Sequence, residues 1–209
     1  MNRPAHLIVI AGTGTEIGKT WVCARLSTLA RERGLHVAAR KPAQSFAPGQ
    51  PTDAAVLSAA TGEPVHAICP AHRWYPVPMA PPMAADVLAR ERIAIAALMA
   101  EIQWPDGTDL GCVEIAGGVR SPIAHDADNV ELIARLHPDA VVLVADAGLG
   151  TINAVRMSLD ALGEMRTHVF LNRFDATNDL HARNRAWLGD AYGIESLVAC
   201  EALLDRVLM

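Results

Sequence analysis

The sequence has no basic surplus. Lys and Arg number 18 against 23 Asp and Glu, for a formal net charge of −5. That balance argues against general nucleic-acid binding, which needs a positive field to neutralise phosphates. Long apolar runs are missing too, and no stretch is long enough to span a bilayer. The first apolar run, Leu7-Ile8-Val9-Ile10, is too short for a secretory leader and flows straight into glycines. These absences predict a cytoplasmic protein with neither a membrane nor a nucleic acid as partner. Cysteine is sparse: Cys23, Cys69, Cys112 and Cys200 are widely scattered. Such spacing fits reduced thiols better than a disulfide framework, and Cys23 and Cys112 read as core fillers. Neither an internal repeat nor a linker is visible. With 209 residues, 51% of them hydrophobic and 20% charged, one domain over residues 1–209 with a well-buried core is expected.

What the chain does have is concentrated near its start. The apolar run reads as a buried strand; Gly12, Gly14 and Gly18 open it; Lys19-Thr20 then begins a segment with Val22, Leu26, Leu29 and Ala30 at helical spacing. Strand, glycine-rich loop and helix opening on Gly-Lys-Thr form a phosphate-binding loop. Backbone N–H groups converge on phosphates, the helix N-terminus adds positive potential, the lysine bridges the β- and γ-phosphates, and the threonine hydroxyl ligates Mg²⁺. The match to G-x-x-x-x-G-K-[ST] departs at its first position, where Thr13 stands and Gly12 precedes it.

Further along, glycine at Gly34 stops the first helix and His36 to Arg40 reads as a second strand, running into Lys41-Pro42 and then Gln44 and Ser45. Asp53 opens an alanine-rich helix to about Ala60. Gly62 to Pro82 is proline-dense and irregular, and one helix is expected from Met83 to Ile102. Strands follow at Gly111–Ile115, Ala140–Ala145, Thr167–Asn172 and Glu195–Ala199. Helices are expected over Asp128–Leu136, with Asp128 and Glu131 as a capping pair, from Thr151, over Asp179–Tyr192 and at the end. Apolar strands alternating with helices predict an α/β fold with a parallel sheet covered on both faces.

In such sheets ligands sit at the carboxyl ends of the strands. Those ends carry the phosphate loop, Lys41, Glu114 before Ala116-Gly117-Gly118, Gly148-Leu149-Gly150-Thr151, and Asn172. Thr20, Asp53 and Glu114 can supply oxygen ligands to Mg²⁺ on ATP. Asp53 reads equally as a helix N-cap; a carboxylate flanked by Val113 and Ile115 needs a cation or donor. His66-x-x-Cys69-x-x-His72 has metal-like spacing, but a transition-metal site also needs a full ligand set and a rigid frame, and in a proline-rich loop these read as loop histidines.

GTGTEIGKT, KPAQS, Asp53, VEIAGG, GLGTIN and Asn172, in this order, resemble the dethiobiotin synthetase family from Leu7 to Asn172. The resemblance implies a three-layer P-loop NTPase-type α/β fold with a mostly parallel central sheet and helices on both faces. It implies a homodimer whose substrate lies across the interface, with ATP and Mg²⁺ as cofactors. The reaction it implies converts 7,8-diaminononanoate and CO₂ to dethiobiotin with release of ADP and phosphate, through a carbamate and a carbamic-phosphoric anhydride. Carried over, Lys19 stabilises the transferring phosphate and Lys41 the carbamate. Gly14, Thr15, Glu16, Ile17, Gly18, Lys19, Thr20 and Trp21 cradle the phosphates; Thr20, Asp53 and Glu114 hold the metal. Ala116, Gly117, Asn172 and Arg173 complete the nucleotide site, with the Asn172 amide offering both a donor and an acceptor to the base. Ser45, Gly118, Gly150, Thr151, Ile152 and Asn153 touch substrate, the last four at a helix N-terminus suited to a carboxylate.

The chain departs from the family pattern at Gly14, where Asp is frequent, and at Ile115, which puts a bulky side chain in place of a glycine beside the nucleotide. It departs again at Pro78-Met79-Ala80-Pro81-Pro82, which lacks the family's Ser-Pro-His, at Ala154 and beyond Asn172. Two other readings stay open: a P-loop switch or partitioning ATPase, which usually carries an additional lysine early in the loop, and a nucleotide-binding relative with a different or lost substrate.

Overall fold

The computed structural model describes residues 3–209. In chain order the elements are β1 (His6–Gly12), α1 (Lys19–Glu32), β2 (Val37–Arg40), β3 (Gln44–Ser45), α2 (Asp53–Thr61) and α3 (Val65–Ile68). A 3₁₀ turn (Ala71–Arg73), β4 (Trp74–Tyr75), α4 (Pro81–Val87), α5 (Ile95–Glu101), β5 (Leu110–Glu114), β6 (Pro122–Ala124) and β7 (Ala127–Asp128) follow. The rest is α6 (Asn129–Leu136), β8 (Ala140–Asp146), α7 (Thr151–Leu162), β9 (Thr167–Asn172), α8 (Asp179–Tyr192), β10 (Ser196–Leu197) and α9 (Cys200–Val207).

Six strands form one sheet in the order β10-β9-β8-β1-β5-β2, and every pairing in it is parallel. The period-2 alternation of a strand explains the layering. Along β1, Leu7, Val9 and Ala11 enter the core beneath α4 to α8, while Ile8 and Ile10 enter the core beneath α1, α2, α3 and α9. Both faces are apolar, so the strands are apolar throughout, as a doubly covered parallel sheet requires. Cys23 and Cys112 are fully buried in the second core. Among the described residues, no helix is long and apolar enough to cross a membrane.

Three local expectations are corrected. The single helix over 83–102 is two helices, α4 and α5. Ala89 adopts φ 49°, and the Arg90 amide reaches back to Ala85 O, a left-handed ending that stops α4. His125 N then donates to Ile93 O, Ile93 N donates to the His125 ring Nδ1, and Asp126 Oδ1 accepts from Ile95 N. Tertiary bonds win over the alanine-rich helix propensity. The proline-dense stretch 62–82 contains α3, the 3₁₀ turn and β4, which pairs in parallel with β3. The N-cap of α2 is Thr52, whose side chain accepts from Ala55 N; Asp53 is therefore free of capping and available to the site. The Asp128–Glu131 capping box is present at α6.

Candidate active site

The register of the central strands assembles the site. Ile10 sits opposite Glu114, and Arg40 opposite Val113, so Glu114 and Lys41 leave adjacent strands side by side next to the loop that follows β1. In that loop Gly18, at φ 94°, is the N-cap of α1 and has no capping side chain; the first turn carries no acidic residue. The open N–H groups of α1 are thus left for an anion. The first glycine of the motif is displaced for a steric reason. A Cβ at Gly12 would lie 2.6 Å from Ile17 Cδ1 and 2.9 Å from Lys19 Cδ, so the close approach that demands glycine falls at Gly12 and not at Thr13. Gly14 has nothing within 4 Å of a Cβ position, and its carbonyl accepts from Lys19 Nζ at 2.7 Å.

Four side chains then converge. Lys41 Nζ lies 2.7 Å from Asp53 Oδ2 and 2.7 Å from Glu114 Oε1. The Thr20 hydroxyl lies 2.9 Å from Asp53 Oδ1 and 2.8 Å from Glu114 Oε1. Lys41 is 2% exposed and Glu114 1%, so neither charge is tolerable without the other. Burial opposes the charge on Lys41, yet the two carboxylates outweigh it and hold the ammonium above the ordinary lysine range. Burial pushes the Glu114 carboxyl up against the pull of Lys41. At Asp53 burial also pushes up, but Lys41 and Thr20 prevail and hold the carboxyl below its usual value. Burial, then repulsion from Lys41, brings Lys19 down to about 8.

Glu114 Oε2 is buried without a hydrogen-bond partner. An orphaned carboxylate oxygen beside a hydroxyl and a second carboxylate is an all-oxygen set fit for Mg²⁺. Among the described residues, no group of three or more His, Cys, Asp or Glu is placed to hold a metal, so these side chains alone do not close a metal site. The His66–Cys69–His72 motif is not a metal site: His66 packs on Trp74, Cys69 is buried, and His72 pairs with Glu101.

Two clefts meet at the phosphate loop. One, of about 870 Å³, is lined by Thr15, Glu16, Gly18, Lys19, Thr20, Lys41, Ser45, Asp53, Pro78 to Pro81, Glu114, Ala116, Gly117 and Arg173. Gln44, within the KPAQS motif but given no role there, also lines it, as do Phe46, Gln50 and Ser121, whose sequence context singles out none of them. The glycine turn beyond β5 is pinned by Asn129, whose Nδ2 donates to Ala116 O at 2.7 Å and Gly118 O at 2.8 Å. Gly118 backs the loop, a Cβ there lying 3.4 Å from Thr13 O. The second cleft, of about 550 Å³, is lined by Gly18, Trp21, Arg25, Asn172, Arg173, Phe174 and the start of α9.

Several expectations change in detail. Trp21, 56% exposed, lines the second cleft and not the first, because its position on α1 turns it away from the loop. Asn172 is partly committed: Nδ2 spends one of its two N–H donors on Ile17 O at 2.9 Å, leaving the other and Oδ1. Arg173 braces the loop by donating to Glu16 O at 2.9 Å. Ile115 does not crowd a ligand. Strand alternation after Glu114 sends its side chain into the core, where it is fully buried, and its carbonyl alone approaches Lys41, at 3.3 Å. Gly150, Thr151, Ile152 and Asn153 form the head of α7 and line neither of these clefts.

A parallel sheet, a glycine-rich loop on an uncapped helix, a Lys-Thr pair and two converging carboxylates define a P-loop nucleotide-binding protein. An AAA domain family model matches residues 6–178. The fold resembles the signal recognition particle receptor FtsY of Elizabethkingia anophelis, with TM-score 0.55 and 15% identity over 100% of this chain and 67% of that one. It also resembles a plasmid partition protein of Borrelia burgdorferi, with TM-score 0.56 and 10% identity over 99% and 97%; at these identities the likeness is of fold alone. The ATP-dependent dethiobiotin synthetase of Rhodococcus jostii is 39% identical over 75% of this chain and 67% of its own length. The Anaeromyxobacter sp. (strain Fw109-5) enzyme of the same name is 36% identical over 82% and 78%, and that of Caulobacter vibrioides 38% over 74% and 73%. The chain belongs to the ATP-dependent dethiobiotin synthetase family.

Proposed function

We propose that residues 1–209 act as one ATP-binding unit that closes a cyclic urea, joining 7,8-diaminononanoate and CO₂ into dethiobiotin. The observation that carries this reading is the buried Lys41 ammonium, held 2.7 Å from each of two carboxylates at the edge of the phosphate site. A switch ATPase has no need of such a cation lining the larger cleft beyond the phosphate loop.

The reaction is phosphoryl transfer from ATP to a carbamate, followed by ring closure. One amine adds to CO₂ and loses a proton, giving the carbamate. A carbamate oxygen attacks the γ-phosphorus, the bond to ADP breaks, and a mixed anhydride forms. The second amine attacks the carbonyl carbon, the C–O bond breaks and phosphate leaves with that oxygen. Such a transfer depends on positioning and charge neutralisation. Lys19 and the first-turn N–H groups of α1 neutralise the phosphates. Lys41 faces the carbamate and the oxygen that passes to phosphorus, and Ser45 orients substrate. Thr20, Asp53 and Glu114 would hold Mg²⁺, which would supply positive charge to offset that of the phosphates.

The second cleft receives the base. Asn172 Oδ1 presents an acceptor and so favours a base with an exocyclic amine, such as adenine. Trp21 offers it a stacking face. We further propose a homodimer in which the head of α7 serves the partner's substrate carboxylate. The support is that Thr151 Oγ1 is buried without a partner while neighbouring Leu149 is 92% exposed.

Oxygen tracing tests the reading. Phosphate released early from ¹⁸O-labelled CO₂ and diamine should carry one label, transferred through the anhydride. Unlabelled phosphate, with its new oxygen taken from water, would mean simple hydrolysis and favour the switch ATPase.

A further inference from the structure

Gln44 is 1% exposed and lies in the two-residue strand β3, between Lys41 and Asp53 in sequence. Its Oε1 accepts from Ala54 N at 3.0 Å, which identifies the other end of the amide as the NH₂ group. That group carries two N–H donors, and it is buried with no acceptor. Leaving a buried donor unpaired is costly, and an unpaired group in a native wall calls for a reason. No acceptor of the wall lies in reach: Glu114 Oε2 is itself without a partner and does not bond the Gln44 amide. Both oxygens of neighbouring Asp53 are committed to Thr20 and Lys41, and Glu114 Oε1 to the same two groups. Yet Gln44 forms part of the large cleft, together with Lys41 and Ser45. The missing acceptor must arrive with what the cleft binds.

From this geometry we infer that the Gln44 carboxamide is a donor to an oxyanion held beside Lys41. Resting on the ligase reading, that oxyanion is the carbamate made from the diamine. Gln44 and Lys41 then grip it from one wall, a neutral donor and a cation acting together. Because its Oε1 also pins the first turn of α2, where Asp53 sits, Gln44 links the anion's place to that of the metal carboxylate.

Two substitutions separate donor from brace. Gln44→Glu keeps an oxygen for Ala54 N but puts an acceptor where the donor was; Gln44→Met removes both. Orthophosphate binding to the MgADP-loaded protein, measured by calorimetry, reads the oxyanion site without turnover. Both variants should bind phosphate at least tenfold more weakly, with MgADP affinity within twofold of wild type. Diamine-dependent turnover should fall about a hundredfold in both. Unchanged phosphate affinity, or no phosphate binding by the wild type, would overturn the inference. Loss in Gln44→Met alone would also overturn it, showing a brace on α2 and nothing more. A wild type that makes no dethiobiotin, with the phosphate result as expected, would fail the ligase reading and leave Gln44 as an anion donor.

Discussion

The two clefts that meet at Gly18 are built in opposite ways. The phosphate half hangs on the centre of the sheet: β1, β5 and β2 deliver the loop, Glu114 and Lys41 in register, and the charges are buried and mutually paired. The base half is a surface assembly of α1, the end of β9 and the start of α9. Across it run ion pairs such as Arg25–Glu201, whose side chains are 40% and 57% exposed. Buried charges cannot be altered singly without a large penalty, whereas exposed pairs contribute little. The paired charges thus sit where the core enforces geometry, and the second cleft where substitution is tolerated.

The largest expected effect is at Lys41. Lys41→Ala should lower turnover by about a thousandfold or more while MgADP affinity stays within threefold. Equal loss of both would make Lys41 a nucleotide ligand and erase its separate role. Ile115→Ala should destabilise the fold by roughly 2–5 kcal/mol in chemical denaturation with nucleotide affinity unchanged, since its side chain belongs to the core. Altered affinity would put it back at the site. Glu114→Gln should raise the Mg²⁺ concentration needed for half-maximal turnover by about tenfold, because a hard cation loses an anionic oxygen; an unaltered Mg²⁺ titration would remove it from the metal set.

Smaller effects belong to the base half. Trp21→Ala should weaken MgADP about tenfold, the scale of one lost stacking contact, and leave tripolyphosphate binding untouched. Equal weakening of both would return Trp21 to the phosphate cradle. Least of all, Glu201→Gln should leave the thermal unfolding midpoint nearly unchanged, because its pair with Arg25 is solvent-screened. A larger loss would show that α9 depends on its tie to α1.

The central half was the more legible in the sequence, for a physical reason. A carboxylate between Val113 and Ile115 at a strand end has few explanations, and a lysine before Pro42 at the next strand end has few more. Sheet geometry alone then brings them together. Gln44 stood inside KPAQS without a role and Asn129 outside any motif, because an amide becomes informative only when its partners are known. Trp21 is adjacent in sequence to the phosphate loop, yet the helical turn sends it to the other cleft. The break at Ala89 was hidden in an alanine-rich run, where propensity favours helix and long-range bonds from His125 and Asp126 decide otherwise. The family pattern set Ile115 beside the nucleotide in place of a glycine, but strand alternation turns its side chain into the core.

The most direct test of the account is phosphate release from MgATP with and without 7,8-diaminononanoate and bicarbonate, with the product weighed by mass spectrometry. The account predicts release that requires both, with a diamine-derived product heavier by one CO₂ less one water, the mass of ring closure. Release that ignores the diamine, or that leaves the diamine's mass unchanged, would contradict it.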